Sequence, residues 1–147
     1  MGIIEYAIKF NSLTATVRTM VDETFVELKP EIIEANKTAL LKGEKSDGTY
    51  LKRLSNPFYV DYKEGKGSFA ASLNPPRADF KDTGSFQSKM QANTQGATIR
   101  LTSTDSKTPK LIARDGKDIF GVQKECYPQL RESFVTIFIK KVRAKLL

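Results

Sequence analysis

The sequence predicts an α+β fold with N-terminal helices, a small antiparallel β-sheet built on a hairpin at about 85–102, and a long C-terminal amphipathic helix. Three observations predict this class. Apolar residues recur with a helical period near both ends, two strand-like runs flank a glycine-containing turn, and 39% of the 147 residues are hydrophobic. A chain of this size and composition is expected to form one domain, here 1–147.

The N-terminal part predicts a first helix over 12–28. Asn11 and Ser12 are residue types that cap helix N-termini. The apolar residues that follow share one face of a helix. They are Leu13, Val17, Met20, Val21, Phe25 and Leu28.

A second helix is predicted over 30–42. Pro30 suits the first turn of a helix, because the N–H group that proline lacks would have no intrahelical partner there. Gly43 suits the left-handed position that ends a helix.

The segment 55–84 has no clear period and contains three prolines and three glycines. Only 58–62 resembles a strand. Loops of this length are uncommon in compact domains and are often functional. Two explanations stay open: an extended arm that packs on a neighbouring subunit, or a loop folded over its own core. The aromatic side chains that would anchor an arm at an interface are Phe58, Tyr59, Tyr62 and Phe69.

The middle of the chain predicts a β-hairpin followed by a short helix. Strands over 85–93 and 97–102 flank the residues 94–96, whose glycine is typical of a hairpin connection. A proline near its start and Gly116 after its end predict a helix over 108–115.

The C-terminal part predicts an amphipathic helix of about 20 residues that begins near Pro128. Residues 107–147 contain ten basic and four acidic side chains, so they carry six of the seven excess positive charges. Four cations lie in the final turns: Lys140, Lys141, Arg143 and Lys145. They are candidates for contact with DNA or an acidic partner, and the alternative is a solvated helix end.

The composition argues against an enzyme. The chain has no histidine and one cysteine, so a Ser-His-Asp triad, a Cys-His pair and an intrachain disulfide are excluded. Two carboxylate pairs, Asp79 with Asp82 and Asp115 with Asp118, lie beside turn residues and suit turn roles better than a metal site. We expect no cofactor, no metal and no membrane span, and a soluble protein of intracellular origin.

Several short segments occur in an order that resembles a known group of proteins. They are 33–36 (IEAN), 41–43 (LKG), 47–48 (DG), 79–86 (DFKDTGSF), 103–108 (STDSKT) and 118–121 (DIFG), the last placed just before the C-terminal helix. Over most of 30–147 the chain resembles small tailed-bacteriophage proteins common in phages of Bacteroidetes hosts. More distantly it is similar to tail-completion, head–tail joining and virion-morphogenesis proteins.

In these proteins a Thr-Gly-x-Leu/Phe segment opens the sheet and a Phe-Gly segment precedes the closing helix. The resemblance therefore implies a tight entry into a strand at 83–84 and a turn at 120–121 that places an aromatic side chain in the core. The matching residues are Asp82, Thr83, Gly84, Phe86, Asp105, Lys107, Phe120 and Gly121.

The resemblance implies a structural component of a bacteriophage virion at the neck, either a tail-completion or a head–tail connector protein. Such a protein would form a homo-oligomeric ring during viral assembly in the host bacterial cytoplasm. Its partners would be portal, connector or tail proteins, with non-specific contact to packaged DNA. The alternative is a nucleic-acid-binding accessory protein that uses the basic C-terminal helix.

Overall fold

The computed structural model describes residues 2–96 and 98–146 and confirms a mixed helix and strand fold. The helices are α1 (Ile3–Leu41), α2 (Pro57–Gly65), α3 (Ser85–Ser88), α4 (Thr108–Asp115) and α5 (Tyr127–Leu146). The strands are β1 (Met90–Gln95) and β2 (Thr98–Ser103), and short 3-10 turns lie at Lys117–Ile119 and Lys124–Cys126.

The two predicted N-terminal helices are one continuous helix, α1, of 39 residues. Asn11 and Ser12 lie inside it and are not caps, and Pro30 is an interior proline. A proline in a helix interior removes one backbone hydrogen bond and is normally disruptive. Here the buried stripe continues through Leu28 and Ile32 on either side of it, so tertiary packing outweighs the local cost.

The predicted end of the helix at Gly43 is confirmed. Gly43 has a φ of +78°, and its N–H donates to the carbonyl of Leu40 at 2.9 Å. The N–H of Glu44 donates to the carbonyl of Ala39 at 3.0 Å. These two bonds form a Schellman motif, which satisfies carbonyls at the end of the helix.

The predicted strand at 58–62 is wrong, because these residues belong to the helix α2. The side-chain oxygen of Asn56 accepts hydrogen bonds from the backbone N–H groups of Phe58 and Tyr59, at 3.0 and 3.4 Å. Pro57 occupies the first helical position. An Asn-Pro pair is a helix-start signal, so the sequence contained the correct indication.

The rest of 55–84 folds over the core of its own chain and does not extend as an arm. Three alanines of this segment are buried: Ala70, Ala71 and Ala78. The N–H of Leu54 donates to the carbonyl of Pro76 at 2.9 Å, and the N–H of Ala78 donates to that of Lys52 at 3.0 Å. The second explanation, a loop folded over its own core, is therefore the one that the structure shows.

β1 and β2 form an antiparallel hairpin in which Met90 pairs with Ser103 and Gln95 with Thr98. The prediction of a strand beginning at residue 85 is wrong, because 85–88 form the helical turn α3. The hairpin connection lies between Gln95 and Thr98, about one residue later than predicted. Ala97, predicted to begin the second strand, lies outside the described residues.

The predictions of α4 and α5 are confirmed, with α5 spanning 20 residues. α5 runs antiparallel to α1. Ser133 Oγ donates to Glu31 Oε1 at 3.0 Å near one end of the pair, and Lys145 Nζ contacts Glu23 Oε1 at 3.0 Å near the other.

The core has two apolar clusters. One joins the end of α1 to the residues around α3, and includes Leu40, Leu51, Phe86, Met90 and Ile119. The other lies where α1 contacts the hairpin and α5, and includes Leu28, Ile32, Ala92 and Leu101. Phe120 packs against both clusters, so it connects the two halves of the core.

Candidate functional site

Six of the eight residues singled out by the resemblance line one cavity, and Phe120 and Gly121 lie outside its lining. The cavity has a volume of about 340 Å³ and lies between α2, the segment before α3, and the start of α4. Its lining includes Leu54, Tyr59, Phe80, Asp82, Thr83, Gly84, Phe86, Asp105, Lys107, Lys110 and Arg114. Segments that lie more than 20 residues apart in sequence thus share one surface.

Gly84 gives this region its shape. Its φ of +81° is left-handed, and it immediately precedes the single helical turn α3. The N–H of Ser88 donates to the carbonyl of Gly84 at 2.9 Å. The tight entry expected at 83–84 therefore exists, but it leads into a helical turn and only then into β1.

Asp105 ties α3 to the start of α4. It is buried, and its carboxylate accepts hydrogen bonds from Ser85 Oγ at 2.5 Å and from the backbone N–H of Lys107 at 2.9 Å. The Ser85 hydroxyl, followed by the Lys107 N–H and the nearby Lys89 ammonium, lowers the pKa of this carboxyl below its ordinary value. The carboxylate of Asp105 therefore positions α3 against the start of α4.

Phe120 and Gly121 form the turn that the resemblance implies. The ring of Phe120 lies 5.8 Å from that of Phe86, centroid to centroid. Gly121 has a φ of +144°, and a Cβ there would lie 2.7 Å from Ser46. The close approach of the chain at this point requires glycine.

Lys63 and Asp79 form a buried ion pair that the sequence reasoning missed. Lys63 Nζ lies 2.6 Å from Asp79 Oδ1, and it also donates to the carbonyl of Lys81. The second oxygen of Asp79 accepts from Ser68 Oγ at 2.6 Å. Asp79 was considered only for a turn role or a metal site, and its pairing with Lys63 had no sequence signal because it depends on how the loop folds.

One member of each carboxylate pair considered as a metal site is instead bound to groups of the protein itself. Asp79 is bound to Lys63, while Asp115 accepts from the N–H of Lys52 at 2.8 Å and from Arg114 Nε at 2.6 Å. Within residues 2–96 and 98–146, no group of three or more potential metal ligands occurs.

The four aromatic side chains considered as interface anchors are exposed. Phe58 is 85% exposed and Phe69 59% exposed, and the rings of Tyr59 and Tyr62 stack with centroids 6.2 Å apart. We call this group, Phe58, Tyr59, Tyr62 and Phe69, the aromatic surface. Within α2, all nine residues of which are described, Lys63 is the buried residue and the aromatic residues face outward.

A second exposed apolar surface lies at the start of α1. Sequence reasoning missed it because the helix was predicted to begin at residue 12. We call its five members the α1 stripe: Ile3, Tyr6, Phe10, Leu13 and Val17, each at least 36% exposed. Their regular spacing of three and four residues was visible in the sequence.

Two of the four C-terminal cations are paired within the fold. Lys141 contacts both Glu23 and Glu27, and Lys145 contacts Glu23 at 3.0 Å. Lys140 and Arg143 are exposed and form no ion pair with the part of the chain that the structure describes. The cationic patch expected for DNA contact is therefore reduced from four side chains to two.

Hydrogen bonding and charge shift the pKa values of Glu23 and Lys141, which join α1 to α5. The Lys145 side chain chiefly lowers the pKa of Glu23, and the Glu27 carboxylate chiefly raises the pKa of Lys141. Both shifts favour the charged forms, so these ion pairs add to the apolar packing between α1 and α5 at neutral pH.

Comparisons with known proteins identify no relative of this chain. No family model matches the chain, and neither the curated proteins nor the solved structures contain a significant match. Among the described helices, none combines the length and apolar character needed to cross a bilayer.

Proposed function

We propose that this protein is a non-enzymatic structural component of a bacteriophage virion, located at the neck as a tail-completion or head–tail connector protein. It acts by forming a homo-oligomeric ring and by contacting portal, connector or tail proteins. The sequence resemblance suggests the phage setting, and the surface of α2 supports an assembly role.

The assembly role rests on the pattern of exposure in α2, which is the reverse of that in an ordinary surface helix. A surface helix normally buries its apolar residues and exposes its charged ones. In α2 the buried residue is Lys63, while Phe58, Tyr59 and Tyr62 are exposed. Exposed aromatic residues in contiguous patches mark contact sites, and aromatic residues are enriched in the centres of interfaces.

The buried ion pair holds this helix in a defined orientation. Lys63 joins α2 to Asp79 and to the carbonyl of Lys81, so the aromatic surface is presented on a rigid base. A rigid surface loses little conformational entropy when a partner binds. The contact residues are thus suited to repeated, identical contacts of the kind that a closed ring needs.

The test uses the full chain in its phage. We expect the protein in purified virions by mass spectrometry, and a ring at the neck in particle reconstructions. The double variant Phe58→Ser/Tyr62→Ser should abolish incorporation, while Gln91→Ser, an exposed change on β1, should not. Absence from virions, together with a strict monomer by light scattering, would refute the proposal.

A further inference from the structure

We propose that the α1 stripe is a homodimer interface, in which the N-terminal parts of α1 from two copies pair antiparallel. This inference concerns the protein in solution and does not rest on a role in a virion. It uses residues different from those of the aromatic surface.

The α1 stripe has the pattern of a coiled-coil seam. Its residues 3, 6, 10, 13 and 17 alternate spacings of three and four, and the next position in the series is Met20. Met20 is fully buried within its own chain, whereas Ile3 is 89% exposed and Phe10 is 70% exposed. One continuous apolar face is therefore covered from Met20 onward and uncovered before it.

The α1 stripe has the exposure of an interaction site. Its five residues are between 36% and 89% exposed and lie on one face of a single helix. Contiguous exposed apolar patches mark contact sites in soluble proteins. A second copy supplies a partner of the same length and the same apolar character.

The flanking charges permit this self-pairing. The positions that flank the seam are occupied by Ala7, Lys9, Thr14 and Thr16. Lys9 is the one charged residue among these four, and in the antiparallel pair it lies near the uncharged Thr14 and Thr16 of the second copy. A second copy therefore meets no like-charge repulsion along the seam.

The position of α5 selects the antiparallel orientation. α5 already covers the later part of α1, with Lys145 at the level of Glu23. In a parallel pair the two α5 helices would meet on the same side and force the α1 helices apart. In an antiparallel pair, the partner's α1 continues the line of α5, and the two folded bodies lie at opposite ends.

Charge complementarity favours the same orientation. The antiparallel pair places the first turn of one α1, which contains Glu5, beside the last turn of the other copy's α5, which contains Arg143 and Lys145. The positive end of one helix dipole then faces the negative end of the other. An alternating seam in this orientation sets Tyr6 opposite the Val17 of the second copy and Phe10 opposite its Leu13.

Sedimentation equilibrium of the full chain tests the interface. We expect a dimer at micromolar concentration and at least about a 100-fold weaker association for Phe10→Glu, because each dimer contains the change twice. Ala15→Glu adds the same charge on the opposite face of α1 and should leave the dimer intact. Circular dichroism should be unchanged in both variants, since residues 10 and 15 are exposed.

Disulfide trapping tests the orientation, in a Cys126→Ser background. A mixture of Tyr6→Cys and Val17→Cys chains should form a crosslinked heterodimer, while neither variant alone should crosslink efficiently. Crosslinking of each variant with itself would overturn the antiparallel assignment. A monomer at high concentration, an oligomer unaffected by Phe10→Glu, or binding of a monomer to lipid vesicles through this stripe would overturn the dimer.

Discussion

The ammonium group of Lys63 lies 2.6 Å from the carboxylate of Asp79, and both side chains are at most 4% exposed. This pair joins α2 to the segment that leads into α3. Ser68 Oγ and the N–H of Lys81 bind the same carboxylate, at 2.6 and 3.0 Å. The charges are thus compensated at a buried position, and the contact determines how the aromatic surface is held.

Breaking this pair should strongly destabilise the protein. Lys63→Met leaves the buried Asp79 carboxylate without its cation, which costs about 3–5 kcal/mol in the free energy of unfolding. The double variant Lys63→Met/Asp79→Asn should recover part of that loss, because no buried charge remains unpaired. Urea titration of the single and double variants measures both effects. Equal stability of Lys63→Met and wild type would contradict the role given to the pair.

The aromatic surface should contribute to association and little to folding. Phe58→Ser should change the free energy of unfolding by less than about 0.5 kcal/mol, since the side chain is 85% exposed. Phe86→Ser is the matched control, because Phe86 is buried between Phe80 and Phe120 and its loss should cost about 3–5 kcal/mol. A large loss for Phe58→Ser would place that ring in the core of the chain.

Gly121→Ala should be destabilising through both backbone strain and steric overlap. The new Cβ would lie 2.7 Å from Ser46, and we expect a cost of about 2–3 kcal/mol. Gly67→Ala is the control. Its φ of +78° carries the strain, but no atom lies within 4 Å, so the cost should be about 1 kcal/mol. Thermal unfolding compares the two, and equal losses would show that Ser46 does not limit this position.

The link between α1 and α5 should make stability depend on pH. The folded pKa of Glu23 lies below its ordinary value of 4.5, so its stabilisation is present above that pH and is lost as pH falls through the lowered value. Lys141 has a folded pKa above 10.5, so its contribution is present below that pH and is lost as pH rises through the raised value.

Glu23→Gln/Glu27→Gln should therefore be less stable than wild type near neutral pH and equal to it in strong acid. The difference should shrink in 1 M salt, because these exposed pairs are screened. Denaturant titrations at several pH values measure it. A difference that persists unchanged at low pH would contradict an electrostatic link.

Binding to duplex DNA should involve few phosphate contacts. Since Lys141 and Lys145 are paired with Glu23 and Glu27, Lys140 and Arg143 remain as the cations of this helix end that form no ion pair with the described residues. The logarithm of the binding constant should then fall against the logarithm of salt with a slope no steeper than about −2. Lys140→Ala/Arg143→Ala should remove this dependence. A slope near −4 would favour the nucleic-acid-binding alternative.

Sequence patterns predicted the elements whose signals are local. Each of these signals affects only the few residues around it. They are the apolar period of α5, the proline and glycine at the two ends of α4, and the glycine that follows α1. The Asn56-Pro57 helix start was equally local but was overlooked in a segment rich in turn residues. The prediction of a helix boundary at Pro30 was wrong, because the packing of buried residues on both sides of this proline outweighs its local helix-breaking effect.

The sequence by itself determined the fold class, the C-terminal helix and the lack of histidine chemistry, because these depend on composition and on short-range periodicity. Tertiary structure decided which charges meet and which apolar residues stay uncovered. Lys63 pairs with Asp79, Lys145 pairs with Glu23, and Phe10 stays exposed in its own chain. Such outcomes follow from how distant segments pack, and packing depends on the whole chain at once.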